Sequence, residues 1–156
     1  PPQPVEPYVE NAKANLQVVT GWISQHPDTE FDIFFPPYSI LFWDKVIREG
    51  RTEAVFAAIR QAGQTLLQYD NVKFYGYLMD PEIVTNLDNY CDYIHHSGGV
   101  CREILAMLQR EEGRLTEENL EETLANWREF VVHYDYDQFW DERFWIQWNA
   151  EHAAAP

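Results

Sequence analysis

Asp92 and His95 stand three residues apart in the stretch Asn86-Leu87-Asp88-Asn89-Tyr90-Cys91-Asp92-Tyr93-Ile94-His95-His96-Ser97-Gly98-Gly99. In a turn, this spacing can bring the carboxylate onto one ring nitrogen and leave the other pointing outward. That is the base-and-orienter half of a catalytic triad, in which Asp92 fixes the imidazole tautomer and His95 is the general base. The same residues also fit a plain turn, with Asp92 or Ser97 capping the helix that follows and His95 on the surface. Residue types and spacing leave these two readings level. A working triad further needs a nucleophile. Ser39, in Pro36-Pro37-Tyr38-Ser39-Ile40, is the one serine placed at a strand end, and it lacks the tight glycine turn that exposes a nucleophile. Tyr38 and Ser39, with Asp88 and Asn89 across from them, read instead as the lining of a crevice.

Asp88, Asp92, His95 and His96 are also four metal-ligating types close together. Adjacent histidines rarely point the same way, and no spacing here matches a zinc motif, so no metal and no cofactor is expected. Cys91 and Cys101 flank the same stretch. A disulfide between them would pin the loop in an oxidising compartment, and two free thiols fit the sequence equally well.

The elements that must position these residues follow from hydrophobic periodicity. Val9, Ala12, Leu16, Val19 and Ile23 recur at helical spacing, with Trp22 widening the stripe, and Pro27 closes that helix. Phe31 to Phe35, stopped by Pro36-Pro37, reads as a short buried strand. A short helical segment ends near Gly50. A longer helix from Thr52 shows Val55, Ile59, Ala62 and Leu66 on one side. Val72 to Tyr77 is the second strand. Helix, strand, helix, strand with short connections predicts an α/β fold with a short parallel sheet. Ligands of such sheets sit at the carboxyl ends of the strands, where both the Pro36–Ser39 segment and the Asp88–Ser97 loop would fall.

Beyond the loop, Val100, Ile104, Leu105 and Leu108 predict another helix, finished by Gly113. Thr116 reads as the cap of a last helix whose buried face is Leu120, Leu124, Trp127 and Val131. The sequence then becomes dense in aromatics, with Trp140, Phe144 and Trp148 on one helical face. This divides the chain into a proline-rich lead-in (1–8), an α/β domain (9–114) and a C-terminal helical, aromatic-rich extension (115–156).

The totals exclude several classes. Among 156 residues, 26 are acidic and 11 basic, a net charge of −15 without any basic cluster, which argues against nucleic acid and an anionic membrane surface. No apolar run reaches the length of a membrane span. The start Pro1-Pro2-Gln3-Pro4, without methionine, reads as a processed or trimmed piece.

Phe34-Phe35-Pro36-Pro37-Tyr38-Ser39, Asn86-Leu87-Asp88-Asn89-Tyr90 and Asp92-Tyr93-Ile94-His95 together resemble a largely uncharacterised SGNH/GDSL-like hydrolase family of bacterial envelope proteins. That family is distantly similar to the protein that handles D-alanyl esters on teichoic acid. The resemblance covers roughly residues 9 to 135 and corresponds to the carboxyl-terminal half of such a protein. It implies a partial three-layer α/β/α fold (SGNH/flavodoxin-like) and makes Asp92 and His95 the acid and base of the triad. It further implies hydrolysis or acyl transfer on esters of an envelope carbohydrate or polymer, outside the cytoplasmic membrane. The family's serine block is missing from this chain, so the chain alone is expected to be a poor enzyme. The rival expectation is a non-catalytic binding or structural module that uses the aromatic C-terminal segment as a protein or sugar contact. A sheet of few strands needs cover, so these aromatics are expected to pack back onto the domain; if the tail projects instead, Trp140, Phe144 and Trp148 would support self-association.

Overall fold

The computed structural model describes residues 1–140. It is mixed α/β, mostly helical, around a small three-stranded sheet. The elements are α1 (Glu6–Gln25), β1 (Phe31–Phe34), α2 (Ile40–Arg48), α3 (Thr52–Leu66), β2 (Val72–Tyr75), α4 (Pro81–Val84), α5 (Gly98–Gln109), β3 (Arg114–Leu115) and α6 (Leu120–His133). β1 and β2 run parallel, with Phe31 opposite Val72 and Phe34 opposite Tyr75, and β3 adds antiparallel to β2 through Phe74 and Leu115.

Strand alternation divides the core. Ile33, Val72 and Phe74 belong to the larger cluster, which gathers Ile23 of α1, Trp43 of α2, Phe56 and Ile59 of α3, and Leu120, Leu124 and Trp127 of α6. Tyr75 and Tyr77 belong to a second cluster with Val100, Ile104 and Met107 of α5, with Phe34 packed against it. Trp43 anchors the larger cluster: it is fully buried, 5.2 Å from Phe56 and 5.9 Å from Trp127 between ring centres.

Local chemistry sets most boundaries. Pro7 sits in the first turn of α1, where a missing N–H costs nothing. Asp80 caps α4 by accepting from the Glu82 and Ile83 amides, and Ser97 caps α5 by accepting from Val100. Gly113 turns the chain into β3 with a φ of 73°, and a β-carbon there would stand 3.1 Å from the Tyr77 ring.

Three local expectations are corrected. Trp22 does not widen the buried stripe of α1; it is 59% exposed, as is Val18, because α1 lays only its Leu16–Val19–Ile23 side on the core. Leu105 is likewise exposed, and Met107 takes the buried place on α5. Thr116 does not cap α6, which starts at Leu120: Leu115 is drawn into β3, and the Asn119 side chain spans the connection by accepting from the Thr116 amide and donating to the Arg114 carbonyl. Leu115, Leu120, Leu124 and Trp127 thereby form part of the main core. Of the aromatic tail, Trp140 is within the described residues; Phe144, Trp145 and Trp148 lie outside them.

Candidate functional site

The Asp92–His95 loop begins where α4 and a short 3-10 turn deliver the chain to Tyr90, and it is stapled at several points. Tyr90 bridges His96, the Cys91 amide donates to the His95 carbonyl, and the Ser97 amide donates to Asn89. The Tyr90 hydroxyl, which burial keeps protonated, donates to the Pro37 carbonyl at 3.0 Å. Ser39 donates twice to the Tyr93 carbonyl, from its amide at 3.1 Å and from its hydroxyl at 2.9 Å. The Pro36–Ser39 segment and the loop therefore do meet.

Asp92 Oδ1 accepts from the amides of Ile94 and His95 at 2.8 and 2.7 Å, and Oδ2 lies 2.6 Å from His95 Nδ1. The two amides, more than the imidazole, hold the carboxyl down to about 2. The predicted carboxylate–imidazole contact is thus present, inside a turn that the same carboxylate forms by itself. Its surroundings differ from those of a triad. His95 is 72% exposed, whereas Ser39 is fully buried with its hydroxyl committed to Tyr93, so the one candidate nucleophile is sealed beneath the loop.

The expected crevice also comes apart. Tyr38 packs its ring 4.8 Å from Phe42. The Asn89 side chain is spent on the Ile83 carbonyl, and Asp88 is exposed. Among the described residues, no three His, Cys, Asp or Glu side chains gather to hold a metal. Cys91 and Cys101 are free and exposed.

Tyr38 instead lines a groove of about 420 Å³ that composition and motif reading missed. It opens between α1 and α3, and Phe35 after β1 and Leu78 after β2 close its floor at the carboxyl ends of the parallel pair. Ala12, Leu16, Phe42, Val55, Ala58, Ile59 and Ala62 complete an apolar wall, with Tyr8, Asn11, Asn15 and Tyr38 as its polar tips. None of the lining residues is charged. Those four polar side chains make no hydrogen bond to another described residue, so they are available to a ligand. Small-molecule sites have this composition: apolar walls with a few convergent polar groups.

A larger cleft of about 540 Å³, beside Tyr77 and Asp80, is the poorer candidate. Several of its polar side chains are already used: Asp80 caps α4, Asn119 is bonded at both ends, and Arg114 pairs with Glu111 at 2.8 Å, while the Tyr77 hydroxyl is buried without a partner among the described residues. A third hollow, of about 480 Å³, lies between α2 and the loop, lined by Leu41, Tyr93, Asp92 and Trp140. There the Trp140 indole donates to buried Asp44 at 2.8 Å, Arg48 pairs with Asp44 at 2.7 Å, and the Lys45 ammonium sits 5.1 Å from the centre of the Tyr93 ring.

No family model matches the chain, and no solved structure matches it. The chain is similar to UPF0735 ACT domain-containing proteins of Lacticaseibacillus casei and Lacticaseibacillus paracasei, each 24% identical over 90 residues. That alignment takes in 58% of this chain and 62% of each relative, so the chain spans about three-fifths of the length of the curated relatives it matches.

These matches overturn the resemblance to SGNH/GDSL-like hydrolases. Both relatives are named for an ACT domain, and nothing in the comparisons points to a hydrolase. Ester hydrolysis or acyl transfer on an envelope carbohydrate or polymer falls with it. The physical reason agrees: the motif's shape arises from a self-capped turn, and Ser39, the serine weighed as its nucleophile, is buried and bonded. Among the described residues, no helix is long and apolar enough to cross a membrane.

Proposed function

We propose that the chain is a non-catalytic binding module whose groove between α1 and α3 takes a small, uncharged molecule with an aromatic or aliphatic body. The observation that carries this reading is the groove's lining. In a chain with a net charge of −15, a hollow of about 420 Å³ at the carboxyl ends of the parallel strands contains no charged residue and four uncommitted polar tips. The helix clusters on the two faces of the parallel pair support treating the fold as a three-layer α/β/α unit, in which this position is a favoured ligand site. The ACT-domain names of the relatives support a module over an enzyme. In this reading Asp92 shapes the loop, and His95 is its surface partner.

The test uses N-phenyl-1-naphthylamine, an uncharged aromatic fluorophore. It should brighten on binding the full chain, and Ala58→Phe, which fills the groove, should weaken that binding at least about tenfold, the loss that about 1.4 kcal/mol represents. Equal binding by both proteins would sink the proposal.

The indole of Trp140, anchored on buried Asp44 beside Tyr93, favours a second contact. It supports the aromatic C-terminal segment as a protein or sugar contact, since a flat aromatic face beside carboxylate and guanidinium groups suits either partner.

A further inference from the structure

The two cysteines share one loop system, and their surroundings differ. Cys101 lies in the first turns of α5, exposed, with its sulfur 3.6 Å from His96 Nδ1. His96 is half-buried and held by its backbone bridge to Tyr90, while the capped Ser97 fixes the start of the helix that carries Cys101. Neither partner depends on a flexible tether. Arg102 lies over the same turn: its guanidinium nitrogens are 3.8 and 4.0 Å from where β-carbons on Gly98 and Gly99 would stand. Arg102 makes no ion pair among the described residues. Cys91 is exposed too, yet among the described residues no imidazole lies within hydrogen-bonding distance of its sulfur.

We propose that Cys101, His96 and Arg102 form a thiol-exchange site for an anionic, low-molecular-mass disulfide. Thiol nucleophiles act as thiolates, and a base within reach of the sulfur can take the proton as the thiol attacks. The Cys101 thiol proton passes to His96 Nδ1, and the sulfur attacks one sulfur of the disulfide. The S–S bond breaks, and the leaving thiolate departs with the electron pair and takes a proton from water. Cys101 is oxidised to a mixed disulfide as half of the reagent is reduced to a thiol. Arg102 supplies a local positive charge for the reagent's carboxylate in a chain that is otherwise strongly acidic.

The chain contains its own control. Cys91→Ser leaves Cys101 as the only thiol, and Cys101→Ser leaves Cys91. With 5,5′-dithiobis(2-nitrobenzoate), an anionic disulfide, at neutral pH, Cys101 should react about fivefold faster than Cys91 or more. His96→Asn should bring Cys101 down to the rate of Cys91. Arg102→Gln should slow the anionic reagent and leave the rate with uncharged 4,4′-dithiodipyridine unchanged. Equal rates for the two thiols, or a fast Cys101 that His96→Asn leaves fast, would overturn the site. Equal effects of Arg102→Gln on both reagents would overturn its preference for an anion. Thermal melts of each variant, expected to stay close to the parent because Cys91, Cys101 and Arg102 are exposed and His96 is held through its backbone, separate lost reactivity from lost fold.

Discussion

The loop after Tyr90 and the groove between α1 and α3 both lie against the Pro36–Phe42 segment, and they are opposites. The loop and the residues beside it are rich in groups that can do chemistry, and those that would build a triad or its crevice are already used: Asp92 on two amides and an imidazole, Ser39 on Tyr93, Asn89 on Ile83, Tyr90 on Pro37. The groove contains no charge at all, yet its tyrosine and asparagine tips are uncommitted over an apolar wall. A ligand gains from groups left without partners, because satisfied groups must first break the bonds they have. The residues that would build a triad are therefore less available to a ligand than the groove's polar tips.

That comparison can be broken in several places, most forcefully behind the groove. Trp127 of α6 is buried against Trp43 and stacked 4.8 Å from Phe130, in the cluster that supports α3. Trp127→Ala should cost about 3–5 kcal/mol in urea denaturation. A loss under about 1 kcal/mol would mean that α6 is not part of the unit that shapes the groove.

Ser39→Ala comes next. It removes a buried donor and leaves the Tyr93 carbonyl with the Ser39 amide alone. The expected cost is about 1 kcal/mol of stability, with groove binding unaltered. If fluorophore binding vanished while the fold stayed intact, the loop and groove would not be separate regions.

The smallest effect belongs to Asp92, which is exposed. Its carboxyl is held at about 2, below the ordinary 3.8, so the stability it adds is complete above 3.8 and disappears as pH falls through about 2. Asp92→Ala should therefore melt slightly below the parent near neutral pH, with the gap closing under acid. A gap that widens on acidification would show the opposite sign of linkage and refute the role given to the two amides.

Much of the frame was readable in the residues. β1 and β2 fall on their aromatic and β-branched runs, α3 on its wide stripe, and α5 behind a Ser-Gly-Gly start, because each is decided by local pattern. The Asp92–His95 contact was readable for the same reason: three residues and one turn contain it. β3 was not, since two residues cannot show an alternation, and its formation moved the start of α6 from Thr116 to Leu120. The fate of Ser39 was hidden as well, because its partner Tyr93 lies 54 residues away. The groove was least visible of all. Tyr8, Phe35, Ala58 and Leu78 meet there from four separate elements, and each alone reads as an ordinary core or surface residue. The signal that was available was the position after two parallel strands, where Tyr38 had been placed for a different reason.

The most direct measurement titrates N-phenyl-1-naphthylamine into the parent chain, Ala58→Phe and His95→Ala side by side. The account predicts saturable binding by the parent and by His95→Ala with equal affinity, and at least about a tenfold loss in Ala58→Phe. Binding that survives in Ala58→Phe, or that is lost in His95→Ala, would contradict it.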